Sequence, residues 1–318
     1  MQKKIPLILA AVLPKKMRWH RMFQTTSTEL FPPFWLWLGL IMLTIFTLTP
    51  FIYLFLSSIS REVELINGHL IPFSPTLKNY IGLLAGSNAA VFASALKNSV
   101  IVSVLVTLIS IFMGVFAGYA FSRLQFPFRK TSLFIILAIQ IMPSISIITP
   151  LYIMIRDGIE VGIPFTGIVF FRTPPLLDSI WALIFSYTSF SLPYVVWLLA
   201  GYFQSIPKEL EEASYVDGCH RLRTMIQIIL PLAMPGIAAT AIFTFLNAWD
   251  EFLFANAFTQ TYASKTLPVM IAEFVGKHSI DWGSMTAGGF LASLPPVIIS
   301  LILYKYIIGG MTAGGVKE

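Results

Sequence analysis

Glu211-Glu212-Ala213-Ser214-Tyr215-Val216-Asp217-Gly218, followed twelve residues later by Leu230-Pro231, interrupts an otherwise apolar chain of 318 residues. With 56% of the residues hydrophobic, a polar segment this dense needs a reason. The runs on either side are each long enough to cross a bilayer. Three carboxylates so close together cannot sit in hydrocarbon, so the segment must protrude into water between two spans.

Working outward, charged residues make up 11% of the chain and the mean hydropathy is +0.79. Soluble domains carry roughly 25% charged residues, so the chain reads as an all-α polytopic membrane protein. The apolar runs are continuous and do not alternate every second residue, which excludes a transmembrane barrel. Cys219 is the single cysteine and the four histidines have no ligand spacing, so no internal disulfide and no metal site is expected. The net charge of +6 comes from Lys and Arg strung between apolar runs, not from a basic stripe, and nucleic acid is excluded as a partner.

Windows of about twenty apolar residues give six transmembrane helices. They fall near Phe34–Ile59, Ala95–Phe121, Ser132–Ile155, Ser179–Phe203, Leu232–Ala255 and Met285–Ile308. With an even number of spans the termini share a side. That side carries fourteen Lys and Arg, including Lys3, Lys4, Lys15, Lys16, Arg18 and Arg21 of the N-terminal segment and Arg123, Arg129 and Lys130 of the second connection. The other side carries seven. The positive-inside rule then puts both termini and the Glu212–Gly218 segment in the cytoplasm. The chain divides into a basic N-terminal arm at 1–33, a transmembrane domain at 34–308 with its loop at about 204–231, and a cytoplasmic tail at 309–318. Lys3 and Lys4 before the run Ile5–Leu13 mimic a signal peptide, but Pro14, Lys15 and Lys16 follow in place of a cleavage site, so a retained arm at the lipid surface is expected. The connections at 60–94, 156–178 and 256–284 are expected to form short helices at the outer mouth.

Locally, the polar loop reads as two short helices. Ser205 or Ile206 would cap the first, Pro207 suits its first turn, and Glu209, Glu211 and Glu212 complement its dipole. Gly218 is the expected stop. Leu222, Met225, Ile226 and Ile229 form an apolar stripe for packing against the bundle, and Pro231 and Pro235 would end the second helix.

The order Glu-Ala-Ala, three residues, Gly, nine residues, Ile, one residue, Leu-Pro is the signature of ATP-binding cassette importer permeases. This chain resembles that family through Glu212-Ala213-Ser214, Gly218, Ile228 and Leu230-Pro231, with every spacing kept and Ser214 in place of the second alanine. Ser74-Pro75-Thr76-Leu77-Lys78-Asn79-Tyr80, Asn98-Ser99, Gly118 to Arg123 and the tail Gly309 to Lys317 are similar to the carbohydrate branch and its six-helix, maltose-type permease subunit. The resemblance implies that Glu212, Ala213, Ser214, Asp217, Gly218, Leu230 and Pro231 couple to an ATPase subunit. It also implies that the tail, with Gly309, Gly310, Thr312, Gly314 and Gly315, docks there. The implied partners are a second homologous permease subunit, two ATPase subunits and an external solute-binding protein, besides membrane lipid. ATP and magnesium would be bound by those partner subunits, leaving no cofactor and no catalytic residue in this chain. The implied cargo is a sugar, or else a polyol, glycosylated solute or glycerol phosphate.

Other residues read from chemistry alone. The Gly309–Gly315 run lacks the strand, helix and Lys-Ser/Thr pair of a phosphate loop, so it is not a nucleotide site. Asn247, Asp250 and Glu251 at one end of helix five are the candidate substrate path, because buried carboxylates and amides suit sugar hydroxyls. The alternative is an interfacial pair, since adjacent Asp250 and Glu251 cannot both point inward. Gln140, Pro143, Ser144, Ser146 and Pro150 make helix three irregular, and Pro295-Pro296 suggest a bend in helix six. Gly114 and Gly118 have the spacing for close helix approach. A stand-alone secondary transporter is disfavoured by the lack of an internal repeat and of ion relays.

Overall fold

A backbone crossing lipid must satisfy its polar groups within itself, and the long apolar runs do so as helices. The structure is a computed structural model that describes residues 33–158, 160–163, 168–276 and 280–315. Apart from Pro33, the N-terminal arm lies outside the described residues. Residues through Leu56 form one unit and those from Ser57 onward a second.

Helix α1 (Pro33–Ser58) belongs to the first unit as far as Leu56. Thr44, Thr47 and Thr49 return their hydroxyls to the carbonyls of Leu40, Leu43 and Ile45 at 2.6–2.8 Å, so these three hydroxyls are satisfied within the helix.

The second unit begins with the short helices α2 (Glu62–Ile66) and α3 (Lys78–Leu84), followed by α4 (Ala89–Arg123), α5 (Arg129–Ala138) and α6 (Ser144–Asp157). A hairpin of β1 (Glu160–Ile163) and β2 (Ile168–Arg172) leads to α7 (Ile180–Ser205). Next come α8 (Glu209–Val216), α9 (Arg221–Thr224), a π turn at Met225–Ile229 and α10 (Leu230–Trp249). The short α11 (Leu253–Phe258) and α12 (Leu267–Ala272) precede α13 (Trp282–Gly315). Among the described residues five helices are long and apolar enough to span a membrane, and counting the bent pair α5–α6 as one broken span gives up to six.

Several expected boundaries move. Helix two starts at Ala89 and runs 35 residues, about 50 Å at 1.5 Å per residue, so it overshoots the hydrocarbon. Helix three is two helices meeting at 96°. Pro143 has no N–H to continue the ladder and holds Met142 before it in an extended conformation, which ends the first half and starts the second. In the 156–178 connection an antiparallel hairpin forms where short helices were expected, pairing Glu160 with Arg172 and Ile163 with Ile168. Helix six continues through Pro295-Pro296 and past Ile308 to Gly315, so the expected tail begins as helix.

The centre of the unit is the contact of α4 with α7. Both expected small residues lie in it. A Cβ on Gly114 would stand 2.4 Å from a Val195 methyl, and one on Gly118 would stand 3.0 Å from Leu199 and from the Ala200 backbone. Val115, Val195, Leu199 and Phe203 fill the space around them. At the other end of α4, Asn98 donates to the carbonyls of Ala263 and Lys265, and Ser99 accepts from the Leu267 N–H at 2.8 Å.

Asp178 holds the same 259–267 loop from the α7 side. Its carboxylate accepts the N–H groups of Gln260 and Thr261 at 2.8 and 2.9 Å, the Thr261 hydroxyl at 2.8 Å and the Ser264 hydroxyl. Burial alone would push this carboxyl up. The hydrogen bonds from Ser264, Thr261 and Gln260 outweigh burial and bring it down to about 2.

Gly114→Leu is expected to wedge α4 from α7 and reduce the folded yield in detergent, since overpacking typically costs about 1–3 kcal/mol. A size-exclusion profile matching wild type would contradict this contact. Because the Asp178 carboxyl titrates lower in the fold than the roughly 3.9 of an unfolded aspartate, its contribution is complete above that value and is lost as pH falls toward 2. Protection of the 259–267 loop from pepsin should therefore drop between about pH 4 and 2 in wild type, and be equally poor at both in Asp178→Ala.

Candidate functional site

The polar loop between α7 and α10 is folded against the bundle by a buried ion pair. Arg123, the last residue of α4, bonds through Nε to the Glu211 carboxylate, with the two side chains 6% and 8% exposed. The remaining valences are also met. Arg123 donates through Nη2 to the Ile206 carbonyl at 2.8 Å, and the Tyr119 hydroxyl donates to Glu211 Oε2 at 3.3 Å. Such a pair contributes little net stability when complete, yet losing one partner strands a buried charge at about 3–5 kcal/mol. The loop is thus fixed to α4 as well as to the helices that flank it.

Its local conformation follows the sequence in most respects. Glu209, Glu211 and Glu212 occupy the first turn of α8, and the helix stops at Val216. Gly218 takes φ +83°, letting the N–H groups of Gly218 and Cys219 return to the Tyr215 and Ser214 carbonyls at 3.1 and 2.9 Å. The start differs. Ser205 ends α7 with its hydroxyl on the Tyr202 carbonyl, and the residue before α8 is Lys208, with no side-chain cap. The second helix also differs. Of the expected stripe only Met225 and Ile229 are buried, while Leu222 and Ile226 are 52% exposed. The π turn spreads these residues over a wider arc than an α-helix would. Pro231 and Pro235 do not end this helix. Arg221 to Trp249 is one continuous span, and Pro231 lies inside it, directly after the π turn.

The expected coupling residues separate into two sets. Glu212, Ala213, Asp217 and Gly218 are exposed, beside Tyr215 and Val216, which is 88% exposed. Ser214 is interior, sharing a 2.8 Å hydrogen bond with the Thr224 hydroxyl that ties α8 to α9. Leu230 packs on the cluster of Val195, Leu199 and Phe203, and Pro231 is exposed one residue further on. Glu212 opens on a cleft of about 170 Å³ with Lys208 and Arg221. The sequence reading missed Arg123 and Glu211 as a pair. A lone arginine at a helix end carries a topology signal, and nothing local links it to a glutamate 88 positions away.

The substrate-path residues also separate. Asn247 and Glu251, one turn apart, line a cavity of about 270 Å³ with Gln140, Ser144, Tyr187 and Tyr194, whereas Asp250 is exposed outside it. Glu251 additionally caps α11, accepting the N–H groups of Phe254 and Ala255 at 2.8 and 3.1 Å. Gln140, at the break between α5 and α6, donates to the Phe190 carbonyl of α7 and fixes one wall. Gly309, Gly310, Thr312, Gly314 and Gly315 lie along the last turns of α13.

The model for binding-protein-dependent transport system inner membrane components matches residues 110–313, which include the whole loop, its anchor Arg123 and the cavity. The chain belongs to this family. Among relatives of this inner membrane component is the trehalose/maltose transport system permease protein MalG of Thermococcus litoralis. It is 35% identical over 281 residues, covering 88% of this chain and 95% of the relative. The trehalose transport system permease protein SugB of Mycobacterium tuberculosis is 34% identical, covering 86% and 93%. A crystal structure of a bacterial ABC transporter involved in import of the acidic polysaccharide alginate contains a chain of the same fold. Its TM-score is 0.67 at 21% identity, covering 89% of this chain and 98% of that one.

In this inner membrane component, Arg123→Met or Glu211→Met alone should lower thermal stability sharply, whereas the double replacement should recover most of the loss. Additive losses in a double-mutant cycle would show that the two charges act independently.

Proposed function

We propose that this chain is one permease subunit of a sugar importer, lining part of the translocation path and taking its drive from an ATPase subunit seated on the α8 face. The observation that carries this reading is the rigid presentation of that face. Arg123 and Ser214 lock α8 from behind, while Glu212, Ala213, Tyr215 and Val216 remain exposed in front. An exposed apolar and acidic helix face held this firmly is suited to a socket on a partner. Because α9, the π turn and α10 are continuous, movement of the face passes directly to a membrane-spanning helix.

The rest of the assembly follows from the same reading. A second homologous permease subunit completes the path, two ATPase subunits bind ATP and magnesium, and an external solute-binding protein delivers cargo. The loop, both termini and the last turns of α13 face the cytoplasm, in accord with fourteen of the Lys and Arg residues on that side. Gly309 to Gly315, as the end of a helix, extend toward the ATPase subunits. The full-length likeness to permeases named for trehalose and maltose transport supports a sugar cargo.

Space around Gly218 is open, so its substitution acts through backbone strain alone. A β-branched residue at φ +83° is strongly disfavoured, while asparagine tolerates that region. Gly218→Val should reduce ATP-dependent uptake of labelled maltose or trehalose by tenfold or more with normal membrane levels, and Gly218→Asn should retain most of it. Uptake that continues without the ATPase subunits and follows an ion gradient would overturn the proposal.

A further inference from the structure

The connection between α1 and α4 exposes a concentration of large apolar side chains. Leu77, at the cap of α3, stands with Ile81 and Leu84 at i, i+4 and i+7, and the three are 63%, 61% and 57% exposed. Just before them, Leu70, Ile71 and Phe73 are 69%, 69% and 77% exposed. The backbone here is well held. The Thr76 N–H donates to the Ile59 carbonyl at 2.7 Å, and the Ser74 N–H to a Glu64 carboxylate oxygen at 3.1 Å. Apolar side chains presented this firmly call for a cover.

The contacts of α3 set its depth. Asn79 donates through Nδ2 to the carbonyls of Ser58 and Ser60 at 2.9 and 3.1 Å, where α1 ends. The Ser58 and Tyr80 hydroxyls share a hydrogen bond of 2.6 Å. On another side α3 lies along the first turns of α13. A Cβ on Gly283 would stand 2.6 Å from the Asn79 amide oxygen, and one on Gly288 would stand 3.8 Å from a Leu83 methyl. Leu83 is fully buried there in a cluster with Phe92, Trp249 and Ala287. Because the spanning part of α13 begins at Trp282, α3 sits beside one end of a membrane span. Trp282, 39% exposed, marks the same level, as tryptophans do at the membrane–water boundary.

Direction and chemistry then select the cover. At about 100° per residue, the exposed stripe is centred roughly 150° around α3 from Asn79 and Leu83, so it points away from the bundle. A surface at that depth and in that direction meets lipid. Three side chains on a seven-residue helix are far fewer than the roughly 20–30 residues per side of a specific protein interface. Lys78, exposed in the first turn of α3, can lay its stem along the stripe and carry its ammonium to a phosphate. A small apolar face with a basic rim is the composition of a helix lying in the lipid interface.

We propose that α3 is an interfacial anchor in the outer leaflet. Leu77, Ile81 and Leu84 sit at the boundary of headgroups and acyl chains, and Lys78 pairs with a phospholipid phosphate. The outer placement rests on the orientation proposed above and is independent of the cargo. The anchor ties Ser58, at the exit of α1, and Gly283, at the entry of α13, to one depth in the membrane.

The test uses the complete transporter in phospholipid vesicles and a Cys219→Ser background. A nitroxide is attached at Ile81→Cys or, as a water-facing reference, at Gln260→Cys, both exposed positions where the label displaces no packed group. Collision with dissolved oxygen relative to a water-soluble nickel chelate should be at least tenfold greater at Ile81→Cys than at the reference. A ratio equal to the reference would place the stripe in water and overturn the anchor. Slow collision with both reagents would reveal a protein cover, such as a second permease subunit, and overturn it equally. With Lys78→Glu added, the ratio at Ile81→Cys should fall at least twofold in vesicles containing phosphatidylglycerol, and an unchanged ratio would remove the phosphate contact. In right-side-out membrane vesicles an impermeant maleimide should reach Lys78→Cys without lysis. A requirement for lysis would reverse the placement in the outer leaflet.

Discussion

A buried charge pair has no low-energy way to come apart in a bundle of this composition, and the arrangement of the loop depends on that fact. Arg123 and Glu211 belong to elements separated by two bent half-helices, a hairpin and a full span. Among the described residues neither side chain makes a second ion pair, and Tyr119 and the Ile206 carbonyl complete the hydrogen bonding of this one. With the pair closed, the exposed face of α8 has a defined direction relative to α4 and α7. The close approach of those two helices at Gly114 and Gly118 supplies the rigid base from which that direction is measured.

The two ends of the bundle use polar residues differently. At the loop end a few strong contacts hold one small projection. At the other end many neutral or singly charged contacts, from Asn98, Ser99 and Asp178, hold a broad irregular segment at 259–267 by its backbone. The distribution suits a molecule in which one end receives force and the other keeps a shaped surface. Between them lie the broken third span and the cavity beside it, where irregular backbone is tolerated because protein and not lipid surrounds it.

Much of this was legible in the sequence because it is local or periodic. The spans follow from run lengths, the end of α8 from Gly218, and the break in helix three from Pro143 with its neighbours. The packing role of Gly114 and Gly118 follows from their spacing. What the sequence hid is long-range or depends on phase. Glu211 and Glu212 are chemically identical neighbours, yet one is buried and the other exposed, and only the direction of α8 against Arg123 separates them. Asp250 and Glu251 repeat the lesson. The adjacency argument excluded a shared inward role, but choosing Glu251 required the position of the α10 terminus.

The π turn at Met225–Ile229 sets the loop and the membrane-spanning helix out of step. Its closing bond runs from the Leu230 N–H to the Met225 carbonyl, so one more residue is wound into the turn than an α-helix would hold. Each residue of an α-helix advances about 100° around the axis. Removing one residue here would restore regular winding and leave the Glu212 face in place, whereas removing one from the regular part of the span would swing that face by about that angle around α10. The count of residues between Gly218 and Leu230-Pro231 therefore measures an angle as well as a length.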